Sequence, residues 1–452
     1  MDKKAIVWGL GKSGLASACL LQHKGWQVRV YDHNQGGELT DRQQQLSKLG
    51  IEVYLGQDFT PADLVAWSPQ IVIVSPGIAW DHPLLRAARA EGINTIGEVE
   101  LGWQYLSHVP WVGITGTNGK STTTALISAI FQTAGYYAPA CGNIGLPICQ
   151  VALTPPAWVI AELSSYQIEA APSVCPQIGV WTTFTPDHLS RHGTIERYSQ
   201  IKAQLLHQSR QQVLNGDDPY LQQQRQQFPQ AVWVSTASGA SPTDSNAADV
   251  CIAGERVYFR GQPVLSLRSW RLLGQHNLQN LLLAVGTARL AGIEAAAIEQ
   301  AVANFRGMPH RLEVVANYQG VLWINDSKAT NYDAAETGLK AVDAPVLLVA
   351  GGEAKAGNPQ PWLRLIKDKV ARVLLIGSAA ELFSQLLTEQ GFTQWEVVAT
   401  LDRAVAVAAG LVPTLGIKTV LFSPACASFD QYPNFEVRGD HFRRLVQGLE
   451  HD

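Results

Sequence analysis

Gly113-Ile-Thr-Gly-Thr-Asn-Gly-Lys-Ser-Thr122 lies between an apolar stretch, Val109-Pro-Trp-Val112, and Thr123-Thr-Ala-Leu-Ile-Ser-Ala-Ile130, whose composition suits a helix. A strand, a glycine-rich turn and a helix opening at Lys-Ser is the layout that wraps nucleotide phosphates. Backbone N–H groups of Gly116, Thr117, Asn118 and Gly119 can face the anion, the helix start adds partial positive charge, and Lys120 adds a full one. Ser121, with Thr122 beside it, is placed to put a hydroxyl on a phosphate-bound Mg²⁺. Ile114 stands where the usual pattern has its first glycine, with Gly113 and Gly116 on either side. The stretch predicts a protein that handles ATP or GTP.

Working outward, the chain divides into three α/β segments. Residues 1–98 open with Ala5-Ile-Val-Trp8, then Gly9-Leu-Gly11-Lys-Ser-Gly14, a helical stretch, and Val28-Arg-Val-Tyr31 ending in Asp32. That is G-x-G-x-x-G between strand and helix with an acid about 20 residues on, the dinucleotide fingerprint of a Rossmann-like domain. The glycines only let backbone approach a pyrophosphate, so they do not choose NAD over another diphosphate. Residues 99–307 hold the phosphate loop and strands expected at Trp158–Ala161, Ile178–Trp181 and Gln212–Leu214. A polar loop over 235–248, a hairpin over Val250–Leu267 and a helix over Asn277–Leu290 complete this segment. Residues 308–452 carry strands expected at Val321–Ile324, Val346–Val349, Val373–Ile376 and Thr419–Phe422, a second Rossmann-like sheet.

A hydrophobic content of 46% supplies ample core, and a net charge of −4 gives no general drive toward nucleic acid or an anionic membrane. Cys19, Cys141, Cys149, Cys175, Cys251 and Cys426 form no C-x-x-C pair and read as reduced thiols. The start of the chain enters a strand at once, and no run has the length of a membrane span. The expectation is a cytoplasmic monomer that neither enters membranes nor binds nucleic acid.

Polar clusters follow four of the expected strands, where open α/β sheets bind ligands. They are Glu162-Leu-Ser-Ser-Tyr-Gln167, Thr185-Pro-Asp187-His188, Asn325-Asp326-Ser-Lys328-Ala-Thr330-Asn331 and Ser423-Pro-Ala-Cys-Ala-Ser428. Singly, Glu162 could cap a helix, His188 could sit on a surface and Asp326 could shape a turn. Four such clusters in a chain with a phosphate loop point to a site.

Gly113–Thr122, Ala161–Gln167, Asp187-His-Leu-Ser-Arg-His-Gly193, Gly274-Gln-His-Asn-Leu-Gln-Asn280, Met308-Pro-His-Arg-Leu-Glu313 and Asn325–Asn331 occur in the order seen in the Mur ligases. The chain resembles that family over essentially its whole length. Ser423–Tyr432 and Asn143-Ile-Gly-Leu-Pro147 are most similar to its D-glutamate-adding branch. Ser190 departs from the family pattern, which has a second acid there. The resemblance implies ATP-dependent joining of D-glutamate to UDP-N-acetylmuramoyl-L-alanine through an acyl phosphate. It implies that Lys120 holds the β/γ-phosphates, that Ser121 and Glu162 hold one Mg²⁺, and that His188 holds a second with the help of a carbamylated Lys202. Asn280, Arg311 and Asp326 then contact the nucleotide, with Arg311 reaching over from the third domain, which requires closure. Ser13, Gly14 and Asp32 would meet the UDP, while Gly77, Asn143 and His188 line the way to the acyl chain. Thr330, Lys355, Ser428, Phe429 and Phe435 would receive D-glutamate. Three rivals stay open: a folylpolyglutamate-type or other Mur-type ligase, a nucleotide-sensing regulator without catalysis, and an NAD oxidoreductase.

Overall fold

A computed structural model describes residues 3–237, 244 and 248–449, with the side chain of Ser190 also outside the described set. Most of the polar loop expected over 235–248 therefore lies outside the described residues. Two compact units divide the chain: Met1–Trp270 with Leu278–Phe305, and Arg271–Asn277 with Arg306–Asp452.

The first unit holds two sheets. Strands β1 (Lys4–Trp8), β2 (Gln27–Asp32), β3 (Glu52–Leu55), β4 (Ile71–Val74) and β5 (Asn94–Gly97) form an all-parallel sheet in the order β3-β2-β1-β4-β5. Strand order reverses at β1, so the crevice for a ligand opens where β1 and β4 end. The second sheet runs through β6 (Trp111–Thr115), β7 (Ala140–Gly142), β8 (Val159–Glu162), β9 (Ile178–Trp181), β10 (Gln211–Asn215), β11 (Val232–Ser235), β12 (Val250–Ala253), β13 (Arg256–Phe259) and β14 (Gln262–Ser266). Its order is β14-β13-β12-β11-β10-β9-β6-β8-β7, with only the β12–β13–β14 meander antiparallel. Arg260 and Gly261 turn β13 into β14 with φ of +47° and +77°, as a tight hairpin requires. Here the reversal falls at β6, flanked by β9 and β8, whose ends carry the phosphate loop, Thr182–His188 and Glu162.

The second unit is built on β15 (Glu313–Tyr318), β16 (Val321–Asn325), β17 (Val346–Gly351), β18 (Val370–Ile376), β19 (Trp395–Ala399) and β20 (Thr419–Phe422), in the order β15-β16-β20-β17-β18-β19. Only β15 runs antiparallel to its neighbour. The reversal at β20 puts Asn325–Asn331, Gly351–Lys355 and Ser423–Ser428 at one end of the sheet. Helices cover both faces of these sheets, so inner strands such as Ile71–Val74 and Val346–Gly351 are buried throughout and read as unbroken apolar runs. Among the described residues no helix is long and apolar enough to cross a membrane.

Candidate functional site

The phosphate loop leaves β6 at Thr115 and enters the helix Lys120–Thr133 through Gly119. Two of its glycines admit no substitute. Gly116 has φ +147° and a Cβ there would fall 2.0 Å from the Thr182 hydroxyl; Gly119 has φ +82° and a Cβ would fall 2.5 Å from Asn280 Oδ1. The loop is braced from β9: Thr117 N–H donates to Thr183 O (2.8 Å), Asn118 N–H to Thr183 Oγ1 (2.9 Å), and Thr182 Oγ1 to Asn118 O (2.5 Å). With those two amides engaged, the N–H groups facing an anion are those of the helix start, which has no acidic residue and no side-chain cap. Lys120 Nζ lies over the loop, donating to the carbonyls of Gly116 (2.9 Å) and Thr117 (2.8 Å). Ser121 and Thr122 are buried in the first turn, and Asn280 accepts from Thr123 Oγ1 at 3.1 Å.

Glu162 ends β8 and is 1% exposed. Its Oε1 accepts from Asn143 Nδ2 at 2.7 Å, while its buried Oε2 has no partner among the described residues. A buried carboxylate with an open oxygen fits a cation, and a Mg²⁺ held with the Ser121 hydroxyl suits both ligands, which are hard oxygens. His188 follows β9 with φ +54°, its Nε2 3.4 Å from Asp187 and its ring 5.2 Å from that of Tyr166. Lys202 lies on the helix Ile195–Gln208, whose start Thr194 caps. It is 1% exposed, and Nζ donates to Gly116 O (2.8 Å) and Thr115 Oγ1 (3.4 Å). Burial, and next the charge of Lys120, push its pKa well below the usual lysine value, while Asp187 and Glu162 pull it back. The Tyr198 ring stands 4.7 Å from Lys202 Nζ and 6.4 Å from the His188 ring. Among the described residues no three His, Cys, Asp or Glu side chains gather as metal ligands; the expected set draws on a serine and a lysine as well.

At the end of the first sheet a cleft of about 610 Å³ is lined by Ser13, Asp32 and Gly77. Asp32 ties down the glycine turn, accepting from Leu10 N–H (2.6 Å) and Asn34 N–H (2.8 Å). Both its oxygens are thus engaged by backbone, whereas a dinucleotide site uses this acid on a ribose hydroxyl. Gly14 is buried; a Cβ there would fall 1.8 Å from Gly9 O, so it lets the helix Lys12–His23 pack on the turn. Trp8, Asp58 and His82 also line the cleft, with Trp8 Nε1 donating to Asp58 at 2.8 Å. Sequence reasoning missed them because only folding brings them together.

In the second unit Arg311 sits between two residues in the left-handed region, His310 (φ +62°) and Leu312 (φ +44°). Such strain persists only where surroundings enforce it. Glu313 accepts from His310 N–H (2.9 Å) and is gripped by Arg443 through two 3.0 Å bonds, while Asn325 Nδ2 reaches His310 Nδ1 (3.1 Å) and Gly439 O (3.1 Å). Asp326 accepts from Leu312 N–H (3.2 Å) and Ser423 Oγ (2.8 Å). Burial pushes its carboxyl up to about 7 against the Ser423 bond and the Arg311 charge. Arg311 Nε is buried without a partner among the described residues. A Cβ on Gly439 would fall 2.2 Å from His310 Nδ1. Gly439→Ala is therefore expected to destabilise the fold by about 1–3 kcal/mol through overpacking, seen as a lower urea midpoint; an unchanged midpoint would show the loop yields freely.

The residues expected for the amino acid share this end of the sheet. Ser428 is buried, Thr330 and Phe435 are half-buried, and Lys355 and Phe429 are exposed. Arg438, fully buried, donates to Ser327 Oγ and to the carbonyls of Ser327, Cys426 and Ala427, tying the loop after β16 to the loop after β20. No sequence pattern marked it, since a helical arginine is ordinarily exposed.

Three family models match the chain in order: the Mur ligase MurD-like N-terminal domain over residues 3–97, the Mur ligase middle domain over 114–288, and the Mur ligase glutamate ligase domain over 310–426. A protein of Thermosynechococcus vestitus named UDP-N-acetylmuramoylalanine–D-glutamate ligase is 55% identical over 98% of this chain and 99% of its own length. One of the same name from Gloeothece citriformis is 51% identical over 99% of this chain and all of its own. Among solved structures, the UDP-N-acetylmuramate–alanine ligase MurC of Thermotoga maritima shares the fold with a TM-score of 0.62 at 17% identity, covering 99% of this chain and 100% of that one. Three domain matches in sequence and likeness over the full length place this chain in the Mur ligase family.

Proposed function

We propose that the chain joins D-glutamate to UDP-N-acetylmuramoyl-L-alanine at the expense of ATP, through an acyl phosphate, as a step in peptidoglycan precursor synthesis in the cytoplasm. The observation that carries a ligase over a nucleotide sensor is the likeness, over 98–99% of the chain, to relatives named as ligases; the half-partnered, buried Glu162 carboxylate fits the Mg²⁺ that ATP brings. A sensor of nucleotide alone has no need of a second cation centre at His188 and Lys202. The choice of D-glutamate is supported by the names of the relatives at 51–55% identity.

In this proposal the domains are residues 1–98 for the UDP substrate, 99–307 for ATP and 308–452 for the amino acid. Mg²⁺, when bound, offsets the charge that crowds the phosphoryl oxygens. Lys120 and the helix start hold the β/γ-phosphates, and Ser121 and Glu162 take one Mg²⁺. His188 and a carbamylated Lys202 take the other, near the acyl carboxylate. Asn280, Arg311 and Asp326 orient the nucleotide. Ser13, Gly77 and Asn143 guide the UDP substrate, with Asp32 and Gly14 shaping its turn. Lys355 and Ser428 receive the two carboxylates of D-glutamate, with Thr330, Phe429 and Phe435 around them. The partners are small molecules, and the acting form is a monomer.

The test is a panel of D-glutamate, L-glutamate, lysine and diaminopimelate, each given with ATP and UDP-N-acetylmuramoyl-L-alanine and scored by product mass. D-glutamate should dominate, because a dibasic substrate brings an uncompensated cation to Lys355. Equal use of the two glutamates, preference for diaminopimelate, or phosphate release without either substrate would sink the proposal.

A further inference from the structure

Glu98 belongs to none of the motifs above, yet it is among the most deeply buried charged groups of the first unit, 2% exposed at the start of the helix Glu98–Leu106. Its Oε1 accepts from Cys149 N–H at 2.6 Å. That amide belongs to the first turn of the short helix Ile148–Val151, whose own preceding residue, Pro147, offers no side-chain cap. A carboxylate about 50 residues away in sequence thus does the capping. Oε2 has no partner among the described residues, and burial pushes the carboxyl up to about 7 while the Cys149 bond pulls it down. Keeping such a group is costly unless it holds something in place.

What it holds leads to the metal carboxylate. The segment before the short helix is Asn143-Ile-Gly-Leu-Pro147, and it is stiff. Gly142 N–H donates to Leu146 O (2.8 Å), and Gly145, at φ +63°, sits so close that a Cβ would fall 2.3 Å from Ala140 O. At its near end Asn143 bonds Glu162 twice, N–H to the carbonyl (2.9 Å) and Nδ2 to Oε1 (2.7 Å). Fixing the short helix therefore fixes Asn143 against Glu162. The helix is packed from both sides of the junction. Gly102 lies against Ile148, where a Cβ would fall 2.3 Å from Cγ2, and Ser17, on the helix after the glycine fingerprint, reaches Cys149 Sγ at 3.7 Å.

We propose that Glu98 is a positioning residue that, through the capped helix Ile148–Val151 and the rigid turn before it, holds Asn143 on Glu162 and so links the first sheet to the cation site of the second. The proposal rests on the ligase reading for the role of Glu162, but not for the mechanical link. Two measurements separate these. In the full-length protein, amide exchange at residues 143–146, 148 and 149 should quicken at least tenfold in Glu98→Ala and much less in Glu98→Gln, which keeps one acceptor oxygen. Mn²⁺ affinity, titrated by its paramagnetic signal with a non-hydrolysable ATP analogue, should fall about tenfold in Glu98→Ala and in Asn143→Ala, with the double variant no worse than Asn143→Ala. KM for D-glutamate should stay within about twofold. Unchanged exchange in Glu98→Ala, or losses of Mn²⁺ affinity that multiply in the double variant, overturn the link. If Glu98→Ala does not fold, Glu98→Gln and Glu98→Asp carry the same comparison. Absence of any nucleotide-dependent Mn²⁺ site in the unaltered protein would instead count against the ligase reading, leaving the exchange result to judge Glu98.

Discussion

Lys120→Ala is expected to lower phosphate release by at least about 10³-fold while affinity for UDP-N-acetylmuramoyl-L-alanine stays within about twofold. The first half follows from where the ammonium lies. Nζ spans the carbonyls of Gly116 and Thr117, beside the start of the Lys120–Thr133 helix, which has no side-chain cap. Phosphoryl transfer leaves little for a protein to do beyond holding and offsetting charge, so loss of a full positive charge there is felt almost entirely in the rate. The second half follows from the sheets. The cleft proposed for the UDP substrate opens at the ends of β1 and β4, and the phosphate loop at the end of β6, in a different sheet. Calorimetry with the UDP substrate and a phosphate-release assay check both halves. A folded variant that lost UDP-substrate binding along with turnover would show that the two ligands are not divided in this way.

The same geometry explains what the sequence made legible. Inner strands such as Ile71–Val74, Ile178–Trp181, Val346–Gly351 and Thr419–Phe422 are buried throughout, and their apolar runs announce them. The sequence reading passed over β3, β5, β7, β15 and β19, which are five of the six sheet edges. An edge strand such as Glu52–Leu55 or Glu313–Tyr318 has a face partly in water and carries no such run. The sixth edge, β14, was legible through its Arg260-Gly261 turn. One inner strand, β11, was missed as well. The site divides likewise. Gly116 and Glu162 sit in local patterns imposed by backbone approach and by position at a strand end. Thr182, Asp58, Arg438 and Glu98 act through contacts with residues remote in sequence, and nothing in their neighbours' identities announces that.

Lys202→Ala is expected to lose nearly all activity, on the order of 10³-fold, and to regain part of it with added short-chain carboxylic acids. From pattern alone a lysine on the helix Ile195–Gln208 would be exposed. Instead it is buried, donates only to Gly116 O and Thr115 Oγ1, and forms no ion pair among the described residues. Burial and the charge of Lys120 both oppose a second ammonium here and push the pKa well below the usual lysine value, which favours the neutral amine. A neutral amine can add to CO₂ through its lone pair, losing a proton to give an anionic carbamate whose oxygens suit a hard cation. The carbamate would place an anion in the buried space beside the phosphate loop, able to work with His188, whose ring also neighbours that of Tyr198. A carboxylic acid diffusing into the space left by Lys202→Ala restores the anion without the lysine, which is why partial rescue is the informative outcome. Uptake of labelled bicarbonate should give a carbamate carbon signal in the active protein that is absent from Lys202→Ala. Full activity of that variant, or an active protein with no carbamate signal, would leave Lys202 as a buried amine that merely braces the Gly116 carbonyl.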